Sequence, residues 1–172
     1  VPQGARVFKD LSVWENLRMG GFTLDRHTLQ TRRAEVLETF PLLGNRATQK
    51  ASTLSGGERQ MLAFGMALML HPKLLLIDEP SIGLAPIMVN QVFDTVCAIR
   101  DRLGTSVLIV EQQAQQVLRI VDHVFVIRAG RLIQHGPAIN FKDPSILRQV
   151  YLSEYPAETN QQEQTDESKS ML

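Results

Sequence analysis

Two acids end an apolar run in LLLIDEP, where Leu74 to Ile77 are followed by Asp78 and Glu79. A short continuous apolar run after a proline reads as a buried strand. In an α/β sheet, residues at a strand's carboxyl end line the crevice in which ligands bind. A carboxylate there suits Mg²⁺, which takes hard oxygen donors and retains several waters, so Asp78 is the candidate metal residue. Glu79 is then placed to act as general base on an attacking water. Taken alone, the pair equally describes a strand that ends in solvated acids.

LSGGE at 54–58 carries a second possibility. Ser55 and Glu58, three positions apart, form a capping-box signal for a helix start. Gly56 and Gly57 leave the first backbone N–H groups clear of side chains, and the helix dipole favours an anion there, a phosphate for example. The plainer reading is a capped helix whose glycines permit close packing. Gln3 in VPQG and Gln112 in VEQQ are neutral amides that can bond a metal or a water but cannot become charged. Each means little alone.

The elements that must position these residues follow from periodicity and punctuation. Ser12 and Glu15 make another capping box, opening a helix to about Met19 that the Gly20-Gly21 pair ends. A charged helix runs from about Asp25 to Thr39, closed by Pro41 and Gly44. MLAFGMALML supplies the apolar face of a buried helix that ends near His71-Pro72. Pro86 suits a helix's first turn, and Val89, Val92, Phe93, Val96, Ile99 and Leu103 keep helical spacing. SVLIV at 106–110 reads as a strand, 113–120 as a helix, and HVFVIR at 123–128 with RLIQH as a hairpin turned at Ala129-Gly130. This alternation is the α/β pattern with a largely parallel sheet. The stretch from Ser153 on is polar, acidic and reads as disordered.

Composition sets limits. The 172 residues hold 18 basic and 18 acidic side chains, so no basic field argues for nucleic acid. The longest apolar run, 61–70, is too short to span a bilayer, and no signal peptide is legible. The lone Cys97 cannot form an internal disulfide and reads as a core residue. His71 sits at a helix end, while His27, His123 and His135 lack metal-ligand spacing. Phe8, Leu11, Val13 and Trp14 read as local core.

Order and spacing join these pieces. A glutamine loop, a helical insert, LSGGE, a short helix, LLLIDE, a further strand and a polar loop occur in sequence, and the arrangement resembles the nucleotide-binding domain of ABC-type ATPases over about residues 1–151. The resemblance implies a P-loop NTPase-like α/β fold, with an α-helical signature subdomain (1–71), a core with a C-terminal hairpin (72–152) and a tail (153–172). It implies ATP and Mg²⁺ as cofactors. Ser55, Gly56 and Gly57 would contact the γ-phosphate of ATP held mainly by a second ATPase subunit. Asp78 would be the Walker B aspartate, Glu79 the catalytic glutamate, Gln3 the glutamine-loop residue at the metal and Gln112 the switch residue.

Departures from the family pattern refine this. Gln112 stands where histidine is usual, and Ala85 ends SIGLA where aspartate is usual. Both, with VPQGARVF and PSIGLAP, resemble the second ATPase subunit of branched-chain amino-acid importers and its urea-importer relatives. No GxxxxGK[ST] occurs, so the chain is expected to be the C-terminal portion of such a domain, lacking Walker A and the strand before it. The resemblance further implies integral membrane partner subunits, no nucleic-acid partner and a place at the cytoplasmic face of the membrane. Trp14 would lie in the groove that receives a helix of the membrane subunit. Rival readings are a soluble, non-transport ABC-type ATPase and a non-catalytic partner that donates LSGGE in trans.

Overall fold

A computed structural model describes residues 1–143 and 145–146. It divides after Ile120 into two compact units. The first begins with α1 (Val13–Gly20), α2 (Arg26–Thr39), the short α3 (Pro41–Asn45) and α4 (Gly56–Leu68). Both expected capping boxes are closed. Ser12 Oγ accepts from the Glu15 amide while Glu15 accepts from the Ser12 amide. Ser55 and Glu58 repeat the pattern at α4. Asp25 caps α2 by accepting from His27 and Thr28.

Helices α1 and α4 lie against each other at very close range. A Cβ on Gly20 would stand 2.3 Å from the Met66 carbonyl oxygen, so only glycine admits this approach. Around the contact, Val13, Leu17, Leu43, Leu62 and Phe64 are fully or almost fully buried. Each such side chain contributes about 1.5–3 kcal/mol of transfer free energy. Asn16 is buried among them with all its polar capacity used. Its Oδ1 accepts from the Phe8 amide, and its Nδ2 donates to the carbonyls of Phe8, Leu11 and Ser12. The N-terminal loop is thereby pinned to α1.

Beyond α4 come β1 (Leu74–Asp78), α5 (Pro86–Leu103), β2 (Ser106–Val110) and the one-turn α6 (Ala114–Val117). Strands β1 and β2 pair in parallel, Leu74 with Ser106 through Asp78 with Val110. The buried stripe of α5 is Val89, Val92, Phe93, Val96 and Ile99, with Leu103 partly buried. Gly104 ends the helix at φ +62°, donating its N–H to the Arg100 carbonyl, a left-handed cap that glycine adopts without strain. Leu75 and Ile77 join the same core as α4 and α5.

Four expectations need correction. The 74–78 strand is buried on one face only: Leu75 and Ile77 are inside, whereas Leu74 and Leu76 are about half exposed. An unbroken apolar run cannot reveal that one face lacks a covering layer. Helix α4 stops at Leu68 because His71, at φ +47°, turns its N–H back to the Leu68 carbonyl. Pro41 starts a helical turn of its own where a simple stop was expected, since proline suits a first helical position. The 113–120 helix shrinks to 114–117 because Arg119 and Ile120 bond three residues back, in tighter turns, instead of four.

The second unit starts at Val121. Its hairpin, β3 (His123–Arg128) and β4 (Arg131–Pro137), is antiparallel and closed by Ala129 and Gly130, both at positive φ. Two left-handed residues match the twist of a tight hairpin. Ile133 is an extra residue between the Ile127–Leu132 and Val126–Gln134 pairs, a bulge in β4. The 138–141 turn tucks Ala138 and Phe141 against the hairpin. Residues 147–172, including the expected tail, lie outside the described residues.

Candidate functional site

Glu79 is the first residue after β1 and the centre of the site. Its N–H donates to the Val110 carbonyl at 2.9 Å, carrying the parallel pairing one step past the strand end. Its φ is +41°, a left-handed backbone that costs a non-glycine residue about 1–2 kcal/mol. The compensation lies in its carboxylate. Gln3 Nε2 donates to Oε2 at 2.8 Å, and Gln112 Nε2 donates to Oε1 at 2.5 Å. The donors are 76 and 33 residues away in sequence.

The strand edges explain how they meet. Val1 adds to the free edge of β1, donating to the Leu76 carbonyl and accepting from the Asp78 amide. Gln3 therefore enters beside Glu79 through the turn at residues 3–5. Gln112 arrives from the other side, just beyond β2. Neutral amides orient a carboxylate without cancelling its charge, and each oxygen keeps a lone pair for a proton or a water. Asp78 ends β1 on the exposed face, next to Glu79 in the chain.

Glu111 was not singled out from the sequence, and it ties the two loops together. Its Oε1 accepts from the Ser81 amide at 3.0 Å; its Oε2 accepts from the amides of Gln112 at 2.9 Å and Gln113 at 3.3 Å. The signal in VEQQ was an acid directly after an apolar strand, the same pattern that marked Asp78 and Glu79.

At the start of α4, Ser55 Oγ accepts from the Glu58 amide, and Glu58 also pairs with Arg46 at 2.8 Å. The amide of Ser55, then its hydroxyl and Arg46, hold the Glu58 carboxyl below the usual glutamate range against the cost of burial. Arg59 donates to the Leu54 carbonyl. A Cβ on Gly57 would meet the Met88 Cε at 1.8 Å, and one on Gly56 would lie 3.2 Å from Leu84 Cδ2. Both approaches are to the ends of flexible side chains. Among the described residues no hydrogen bond joins Ser55, Gly56 or Gly57 to Gln3, Asp78, Glu79 or Gln112. The structure joins Gln3, Glu79 and Gln112; of the signature residues, Ser55 is exposed, Gly56 half-buried and Gly57 buried.

Other singled-out residues fall elsewhere. Cys97 is half-buried, and burial pushes its thiol up. Trp14 is half-buried with the Arg33 guanidinium 4.1 Å over its ring. It lines a cavity of about 160 Å³ with Val13, Leu17, Leu37 and Leu43. His123 and His135 flank Phe125 on the hairpin, His135 stacked on its ring at 5.9 Å. No group of three or more His, Cys, Asp or Glu among the described residues could hold a metal.

Parallel strands alternating with helices, with acids at a strand's carboxyl end, make an α/β fold whose strand ends are where ligands bind in such sheets. Solved structures agree. The fold is similar to cbiO1 of Clostridium perfringens, part of the ABC transporter complex cbiONQ, with a TM-score of 0.76 at 25% identity over 88% of this chain and 62% of that one. It is also similar to an ATP-binding cassette of an ABC transporter in its ADP conformation, with a TM-score of 0.72 at 28% identity, covering 85% and 64% of the two chains.

Residues 1–82 match the ABC transporter family. The chain is 48% identical over 152 residues to the high-affinity branched-chain amino acid transport ATP-binding protein BraG of Pseudomonas aeruginosa, covering 88% of this chain and 65% of BraG. It is 39% identical over 138 residues to the probable branched-chain amino acid transport ATP-binding protein LivF of Archaeoglobus fulgidus, covering 80% and 58%. Over most of its length the chain is thus similar to ABC transporter ATP-binding proteins, and its first 82 residues match the ABC transporter family. It spans less than two thirds of the length of these relatives.

Proposed function

We propose that the chain is the Walker B and signature part of an importer's ATPase subunit, coupling ATP hydrolysis to uptake of branched-chain amino acids or a related small solute. The observation that carries this reading is the convergence of Gln3 and Gln112 on Glu79. Glu79 is the general base that takes a proton from the attacking water. The two amides hold its carboxylate so that its free lone pairs face one direction, which is where positioning contributes to phosphoryl transfer.

The residues present suit Mg²⁺ in kind: the exposed Asp78 carboxylate and the Gln3 amide oxygen are hard oxygen ligands. When bound with ATP, the ion supplies charge neutralisation at the phosphates. These 172 residues contain no glycine followed by lysine, so they offer no phosphate cradle of the GxxxxGK[ST] type. Ser55, Gly56 and Gly57 would contact ATP held by another ATPase subunit; Ser55 and Gly56 are the accessible members, and Gly57 is buried in this structure. The division at 71/72 into signature subdomain and core belongs to this same proposal.

Further parts of the reading are integral membrane partners, a homo- or heterodimer of ATPase subunits and attachment at the cytoplasmic face. No described helix is long and apolar enough to cross a membrane. The cavity beside Trp14 is the proposed seat for the membrane subunit. The identity to BraG favours amino-acid uptake over lipopolysaccharide export, since identity to the export ATPase LptB of Escherichia coli is 32%.

The test is Glu79→Gln in the intact subunit. Hydrolysis should fall at least about a hundredfold, as expected for loss of a general base, with ATP binding retained. Normal turnover in that variant would sink the assignment.

A further inference from the structure

We infer that Glu111 is a positioning residue for the hydrolytic site, a role that rests on the ATPase reading above. Its carboxylate is the joint between two loops. Through Oε1 it holds the Ser81 amide, two residues after Glu79. Through Oε2 it holds the amides of Gln112 and Gln113. Glu79 and Gln112 are themselves joined at 2.5 Å by the side-chain bond. The result is a closed ring: Glu79 leads by backbone to Ser81, Ser81 bonds Glu111, Glu111 holds Gln112, and Gln112 returns to Glu79.

The ring settles what Glu111 does. Ser81 is 2% exposed, so its N–H has no water to turn to if the carboxylate is lost. The Gln112 side chain is exposed and long, and an unrestrained amide of that kind samples several rotamers. Holding the Gln112 and Gln113 amides in one turn fixes the backbone from which Gln112 reaches Oε1. Glu111 touches neither reacting atom in this arrangement; it acts through Gln112.

A carboxylate suits the task because it accepts on both oxygens and donates on neither. Glutamine at 111 would present an NH₂ to one of the three amide donors, opening one side of the joint. Aspartate keeps both acceptors but is one methylene shorter and would reach only one loop well.

The test combines kinetics with amide hydrogen exchange in the intact ATPase subunit. Glu111→Gln should lower kcat about tenfold or more with KM for MgATP changed less than about twofold, the pattern of lost transition-state positioning. Amide exchange at Ser81, Gln112 and Gln113 should speed up with no nucleotide present. In a Gln112→Ala background the Glu111 change should add almost nothing to the loss, because its effect runs through Gln112.

Additive losses in the double variant would overturn the inference in favour of a plain structural role. So would unchanged kcat in Glu111→Gln alongside an impaired Gln112→Ala. Should Glu111→Gln fold poorly, Glu111→Asp read by the same cycle decides between the same outcomes. Failure of the underlying ATPase reading looks different: Glu79→Gln and Gln112→Ala would both hydrolyse ATP normally, and the inference would fall with it.

Discussion

Helix α4 and the β1–β2 pair are written in similar apolar letters, yet the molecule treats them differently. In α4, residues 60–65 are all buried, including Gln60 and Gly65. In the sheet, Leu75 and Ile77 are covered while Leu74, Leu76, Leu108 and Val110 are each 53–55% exposed. The difference is coverage. Among the described residues, helices α1, α2, α3 and α5 contact α4, whereas the buried residues of β1 lie on one face of its strand. Cooperative stability of this chain therefore resides in the helical layer, and the open sheet face contributes little.

The sharpest way to break that comparison is Phe64→Ala. Phe64 is fully buried, and truncating such an aromatic costs about 3–5 kcal/mol; urea denaturation should report a loss of that size. A loss below about 1 kcal/mol would mean the helical layer is not the stable part. Gly20→Ala comes next. A Cβ 2.3 Å from the Met66 backbone oxygen must push α1 off α4, an overpacking penalty of about 1–3 kcal/mol visible in the same titration.

Acid should weaken the helix starts more gradually. The Ser55 amide holds Glu58 below the usual range, so its contribution is full above the ordinary glutamate pKa. It is lost as pH falls through the depressed folded value. Glu58→Gln keeps an acceptor but does not titrate. The gap in Tm between wild type and this variant should shrink as pH drops from about 7 to about 3. A gap independent of pH would remove the electrostatic account of that cap.

The smallest effect belongs to the open face. Leu76→Thr keeps strand propensity and removes little buried area, so stability should change by no more than about 0.5 kcal/mol. A drop above about 2 kcal/mol in urea would show that Leu76 is covered in solution, for instance by a second copy, and would erase the contrast.

Legibility followed the range of the interaction. The capping boxes at Ser12 and Ser55 span three residues and were readable, as were the 74–78, 106–110 and 123–128 strands and the hairpin turn. Helix α6 was overextended because nothing local in QQAQQV opposes a longer helix, whereas the chain tightens into three-residue turns after Leu118. In the site, Gln3 and Gln112 carried no signal of their own and gained one only from their order relative to LSGGE and LLLIDE. Glu111 went unread because its partners are amides, and a backbone donor leaves no mark on residue type.

The sequence by itself determined where the capped helices begin and the order of motifs that makes the chain similar to ABC transporter ATP-binding proteins. Those depend on side-chain chemistry within a few positions. The tertiary structure alone decided that Glu79 stands at positive φ between two amides from remote loops, and that Glu111 links those loops. It also decided which face of β1 is buried among the described residues. Each of these is set by which segments the parallel pairing brings edge to edge, and pairing over 30 to 76 residues leaves no local trace in the chain.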